Sequence, residues 1–266
     1  MQTESTIKKG FTINQFRTTE EIESYHKLFE EKIFNAIEIF YPYDRDEDAF
    51  KLYTQNLKNL TKYIQEVVLH LPHGRKNSLL TNVDKDVIIQ RFKDAIDYGK
   101  TFGVKKFTLH LGYVEEERHI EIQKIISILK DLCSYAYPSY IMIENMPRSS
   151  ELGYSPEEIK EIIKLVNVSN LKFIFDTGHA NVSEFESSHY LTLLKDELMH
   201  VHINDNNGSK DQHARIGTGN IDFNKFLQET KDYTEIYCLE ILYKTVDDLI
   251  LYANDLEDCK NNKHIV

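Results

Sequence analysis

The sequence predicts a single closed (β/α)8 barrel, the TIM-barrel architecture, as one domain over residues 1–266, and three observations lead there. Short β-rich apolar runs alternate with amphipathic helical stretches along the chain, the pattern of repeated βα units. The length suits one such barrel, whose usual size is about 250 residues. No Pro-rich hinge, low-complexity linker or long charge block divides the chain, and 10 Gly and 5 Pro leave little room for flexible connections.

Strands are expected at about 10–14, 33–40, 66–71, 105–111, 139–145, 171–176, 199–204 and 235–241. The first, inside KKGFTINQF, is short, and an irregular first unit is expected there. Helical periodicity fills the intervals, as in TTEEIESYHKLFEE, VDKDVIIQRFKDAIDYGKTFG and SPEEIKEIIKLVN. In the last of these Ser155 can cap the helix, Pro156 suits its first turn, and Glu157 and Glu158 complement its dipole. Gly103 is placed to end the helix before the fourth strand.

Composition narrows the class further. Hydrophobic residues at 41% suffice for a core, and 28% charged residues make a polar surface. No apolar run approaches the roughly 20 residues of a membrane helix, so no membrane partner is expected. The opening MQTESTIKKG lacks the apolar segment of a secretory signal. Cys133, Cys238 and Cys259 have no CxxC spacing, and together these features predict a reducing, cytoplasmic location. A net charge of −11 weighs against broad attraction to nucleic acid, although a local basic face or bound cations could offset it.

The chemistry is carried by strand ends. The runs VVLH, FTLH, IMIE, FIFD, HVHIND and YCLE deliver His70, His110, Glu144, Asp176, His202 and Glu240. A parallel barrel gathers its C-terminal strand ends around one mouth, so these residues are expected to meet in a small volume. One buried acid could be explained by a salt bridge or a backbone hydrogen bond. Three acids and three imidazoles in the same position point to a divalent metal. Glu144, Asp176, His202 and Glu240 form a mixed oxygen and nitrogen set that suits Mn, Zn, Co or Fe better than Ca. His179, three residues after Asp176, and Asp211 with His213 in the loop after the seventh strand extend the set.

The remaining candidates divide into two groups. His200 shares parity with His202 but lies two positions deeper, and reads as a core histidine; His26, His119, His189 and His264 read as solvated. His73, in HLPHGRKN, is placed near the mouth, where it could touch substrate. Arg215 could grip an anionic or hydroxylated substrate with its donor fork, or simply bond a loop carbonyl. Gly217 and Gly219 would let the backbone turn at the pocket edge. No strand–GxGxxG–helix unit is present, which excludes a Rossmann dinucleotide site.

At these residues the chain resembles the xylose isomerase-like TIM barrels, a superfamily that joins sugar isomerases and epimerases with endonuclease IV-type AP endonucleases of family 2. The resemblance runs from about residue 33 to 242 and is most specific in IENMP (143–147), DTGHAN (176–181) and HINDNNGSKDQHARIGTGNIDF (202–223). The sugar branch implies one divalent ion on Glu144, Asp176, His202 and Glu240, with His179 and Arg215 contacting substrate. The endonuclease branch implies three zinc ions on His70, His110, Glu144, Asp176, His179, His202, Asp211, His213 and Glu240. All nine positions hold suitable residues. The chain differs from that branch at His110-Leu111-Gly112, at His73 where an aromatic residue is expected, and in the acidic loop holding Asp44, Asp46, Glu47 and Asp48.

Two functions follow. The sequence favours a metal-dependent isomerase or epimerase of a sugar or sugar phosphate, a small carbohydrate partner, with Glu144 and Glu240 exchanging a proton through a metal-stabilised enediolate. The alternative is a zinc phosphodiesterase with two or three ions acting on abasic DNA, the one reading in which nucleic acid is a partner.

Overall fold

Parallel strands covered on both faces need apolar side chains on each, and the eight short runs supply them. The computed structural model describes residues 7–81 and 84–261. Its strands are β1 (Lys8–Ile13), β2 (Ala36–Phe40), β3 (Glu66–His70), β4 (Lys106–Leu109), β5 (Tyr140–Glu144), β6 (Leu171–Asp176), β7 (Leu198–Ile203) and β8 (Ile236–Leu239). Each pairs in parallel with the next, and β1 pairs with β8, so the sheet closes into the expected barrel. The first strand is regular on both edges. The register shift falls instead between Phe173 and Ile174, where β6 meets β7.

The helices are α1 (Thr19–Ser24), α2 (His26–Glu30), α3 (Glu47–Leu60), α4 (Lys85–Lys100), α5 (Arg118–Ala136), α6 (Pro156–Val166), α7 (Thr177–Val182), α8 (Ser187–Leu193), α9 (Phe223–Glu229) and α10 (Val246–Lys260). The first helical stretch is thus broken at Tyr25, whose ring is buried edge-on against Phe11. Ser155 caps α6 by accepting the Glu158 N–H, with Pro156 in the first turn, as its sequence predicts. Gly103 follows α4 with a φ of 73°. Among the described residues no helix is long and apolar enough to cross a membrane, and His264 lies outside them.

Side-chain alternation sorts the strand residues into two populations. Phe11, Ile37, Leu69, Phe107, Ile141, Phe173, Val201 and Leu239 join the large core shared with the helices. Their neighbours face the barrel axis, where Ala36, Ile236 and Cys238 form one small apolar cluster and Val68, Met142 and Ile174 another. Lys106, at the start of β4, pairs with Glu66 and Glu235 at 2.8 and 2.7 Å. Every strand-end candidate shares the axial parity, which carries it from the packed interior up into the mouth.

Helix α4 lies so close to the sheet that a Cβ built on Gly99 would stand 2.5 Å from Phe107 Cε1, and that ring is fully buried. Gly99→Ala should therefore destabilise the metal-free protein by about 1–3 kcal/mol in urea unfolding through overpacking, outweighing the roughly 1 kcal/mol that Ala gains over Gly in a helix. A variant as stable as the wild type would show that the ring yields freely.

Candidate metal centre

Glu144 ends β5 at 1% exposure, and its two oxygens serve different imidazoles. Oε1 lies 3.1 Å from His202 Nδ1, while Oε2 lies 2.9 Å from His110 Nε2 and 3.7 Å from His70 Nε2. His202 Nδ1 is also 3.0 Å from Glu240 Oε2 and 3.8 Å from Asp176 Oδ2. Two groups result, His70–His110–Glu144 and Glu144–Asp176–His202–Glu240, and within each the donor atoms lie within 4.8 Å of one another. A third group forms at the rim, where Asp211 Oδ2 stands 3.4 Å from His179 Nε2 and 2.9 Å from His213 Nε2.

Hydrogen bonds fix which ring nitrogen faces the centre. His70, His179 and His213 place Nδ1 at 2.9, 2.9 and 2.8 Å from the carbonyls of Leu71, Asn145 and Glu240. A carbonyl only accepts, so Nδ1 carries a proton and Nε2 is the nitrogen turned inward, free to ligate a cation once any proton on it is lost. His202 is the reverse: Nε2 donates to Glu38 at 2.7 Å, leaving Nδ1 toward Glu144, Asp176 and Glu240. Such outer partners are what orient imidazole ligands around a metal.

The other candidates are held by short local motifs. Asp176 N-caps α7, so Oδ1 accepts the His179 N–H at 2.6 Å, which is why an imidazole three residues on returns to the site. Asn204 donates to Asp176 Oδ2 at 2.9 Å, and Asn145 brackets the Asp176 backbone from both sides. The loop after β7 is organised by Asp205, whose carboxylate accepts the N–H groups of Asn206, Gly217 and Gly219 at 2.8, 2.9 and 2.8 Å. A Cβ on Gly219 would lie 2.1 Å from the Asn206 carbonyl oxygen, so only glycine fits this turn. His213 stands in it at a φ of 46°, a conformation costly for a non-glycine residue and concentrated at functional sites.

The charge balance fits a cation. Burial raises the Asp176 carboxyl to about 7, with Glu144 and Glu240 adding to the shift and His179 opposing it. Burial would lower the His213 imidazole, but its bond to Asp211 and the Glu240 and Asp211 charges push it up to about 10. The same contest lifts His202 well above its usual value through Glu38, Glu240 and Glu144, and His179 through Asp176, Asp211 and Glu144. Protons thus neutralise a carboxylate cluster that divalent ions could neutralise in their place. The donors, imidazole nitrogen and carboxylate oxygen, suit zinc, manganese, cobalt or iron.

Two substrate-binding candidates remain. His73 packs against His110 and His70, with ring centroids 5.4 and 4.8 Å apart, and its buried Nδ1 has no hydrogen-bond partner. Burial and the neighbouring imidazoles hold it well below the usual histidine range, hence neutral. Arg215 is engaged elsewhere: Nε and Nη2 form a two-point pair with Asp255 of α10 at 2.7 and 2.9 Å. Its fork ties the loop to α10. His200 is a buried core residue bonded to Glu38, as its depth predicts. Sequence reasoning passed over Glu38, Asn145, Asn204 and Asp205. For Glu38 the axial parity of β2 was the available signal; for the others the adjoining motifs were.

The profile described as xylose isomerase-like TIM barrel matches residues 31–257. The chain belongs to that family. Within the family's reach, an uncharacterized protein of Methanocaldococcus jannaschii is 30% identical over 218 residues, 77% of this chain and 74% of the relative. A probable endonuclease 4 of Lachnoclostridium phytofermentans is 27% identical over 198 residues, 65% of this chain and 64% of its own length. Among solved structures, a D-tagatose 3-epimerase-like protein superposes with a TM-score of 0.77 at 26% identity, covering 95% of this chain and 97% of that one. Proteins similar to this chain thus carry both epimerase and endonuclease names.

Metal uptake must displace the protons held by His179, His202 and His213. Titration of metal-free protein with Zn²⁺ at pH 7, in buffers of differing ionisation enthalpy, should show net proton release and an affinity that rises from pH 6 to 8. Absence of proton release would contradict the assignment. The raised His213 value adds stability to the metal-free fold that is complete below its ordinary 6.5 and fades as pH climbs through about 10. Melting of metal-free protein should accordingly decline over that range.

Proposed function

We propose that the protein is a multinuclear metal-dependent phosphodiesterase, with abasic DNA the leading substrate. The observation that carries this reading is Glu144, whose Oε1 faces His202 and whose Oε2 faces His110 and His70. A carboxylate shared this way suits a bridge between two cations, and the Asp211 group adds a place for a third. His70, His110 and Glu144 would hold one ion, Glu144, Asp176, His202 and Glu240 another, and His179, Asp211 and His213 the third. Bound divalent ions supply positive charge to a phosphoryl group and acidify water.

The chain's own residues shape what approaches them. Neutral His73, packed on His110 and His70, adds no charge that would repel the ions. The acids after β2 bear less on the substrate than their count suggests. Asp46 caps α3 by accepting the Ala49 N–H, and Glu47 pairs with Lys51, while Arg45 lies over the exposed ring of Phe16. Asp46 and Glu47 thus serve the start of a helix.

A sugar isomerase or epimerase is the second reading, favoured by likeness to the D-tagatose 3-epimerase-like structure over nearly the whole chain. It would use one ion on Glu144, Asp176, His202 and Glu240, with Glu144 and Glu240 as the proton-exchanging pair. We rank it second because both Glu144 oxygens are engaged by imidazoles, which weighs against their moving a proton. This ranking differs from the order that the sequence alone favours.

Metal-loaded protein incubated with a duplex containing one abasic site should cleave it. His110→Ala should lower kcat/KM by about 100-fold or more, since even outer-sphere changes cost about 10–100-fold. An intact duplex with every divalent metal, together with solvent deuterium entering a ketose, would transfer the assignment to the isomerase reading.

A further inference from the structure

Below the mouth, on the barrel axis, Glu38 is fully buried in the middle of β2. Its Oε2 accepts from His202 Nε2 at 2.7 Å and from His200 Nε2 at 3.0 Å, while Oε1 has no hydrogen-bond partner. Both imidazoles are as deeply buried as the acid. An isolated carboxylate in this setting is costly, and an apolar residue of similar size would usually serve packing as well or better. The residue that benefits from Glu38 is His202, the imidazole shared by Glu144, Asp176 and Glu240.

The donor atoms of Glu38, His200, His202 and Cys238 lie within 4.8 Å of one another and could themselves be read as a cation site. That use and the centre above exclude each other. A neutral imidazole has one lone pair and one N–H. If His202 spent its lone pair on the Glu38 side, Nδ1 would carry the proton and point a donor at the ligand set. In the metal-free protein Nδ1 also faces the Glu144 and Glu240 carboxylates at 3.1 and 3.0 Å, so both nitrogens carry protons there; the shorter bond to Glu38, at 2.7 Å, leaves Nδ1 as the nitrogen that would yield its proton to a cation.

We propose that Glu38 is a positioning residue of the metal centre: by accepting the Nε2–H of His202 it fixes the tautomer and ring plane that present Nδ1 to the ion held with Glu144, Asp176 and Glu240. His200 steadies the acid from below by sharing the same oxygen. The inference rests on the metal-binding part of the proposed function, and is indifferent to whether the reaction is hydrolysis or isomerisation.

The test combines a variant with a measurement on the wild type. Glu38→Gln should keep the circular dichroism of the metal-free fold but bind zinc about 10–100-fold more weakly in one step of a chelator competition, with the remaining steps unchanged. In zinc-loaded wild-type protein, the ¹⁵N imidazole signals of His202 should report a protonated Nε2 and a metal-bound Nδ1. A folded Glu38→Gln variant with wild-type affinity in every step overturns the proposal. So does a spectrum with the proton on Nδ1 and zinc on Nε2, which decides the matter even if the variant fails to fold. Wild-type protein that takes up no zinc removes this inference and the metal reading together; zinc uptake unaltered by the variant removes this inference alone.

Discussion

Glu144 is buried at the end of a strand with each oxygen turned to a different set of imidazoles, and the rest of the centre can be understood as what makes that burial tolerable. A carboxylate taken out of water needs opposite charge or several donors. Here it is surrounded by further acids, Asp176 and Glu240, which raise the requirement. Imidazolium ions can meet it in the metal-free state, at the cost of holding several histidines far from their ordinary titration. Divalent cations would meet it with fewer groups, once the inward-facing imidazole nitrogens give up their protons.

The barrel makes this convergence possible through parity and register. Residues two apart on one strand share a face, so the side chain that ends each strand lies above one that plugs the axis. His202 stands above His200, Asp176 above Ile174, and Glu144 above Met142. Loops then supply what strands cannot: α7 brings His179 back through the Asp176 cap, and the Asp205-centred turn presents Asp211 and His213. The inner groups are thus held by the sheet, while the outer one rests on loop hydrogen bonds and a strained backbone.

Much of this was legible in the sequence for a simple reason. An apolar β-rich run that stops on an acid or imidazole has no cheap structural explanation when it recurs, so the strand ends could be read together with the fold. Glu38 escaped because it sits between Ile37 and Ile39. An acid flanked by apolar residues looks like the solvent face of a half-exposed strand, and only barrel closure turns that face to the axis. The pairing of Arg215 with Asp255, 40 residues away on α10, is another contact that no local pattern reports.

The central claim is that acids and imidazoles from the ends of six strands, from α7 and from the loop after β7 would form a shared cage for more than one divalent ion, linked through Glu144. Elemental analysis of the protein purified without added metal tests it most directly, because identity and stoichiometry emerge together. The account predicts two or three equivalents of zinc, manganese, iron or cobalt per chain. A single equivalent that persists under saturating metal would contradict the linked cage, and none at all would contradict the metal centre itself.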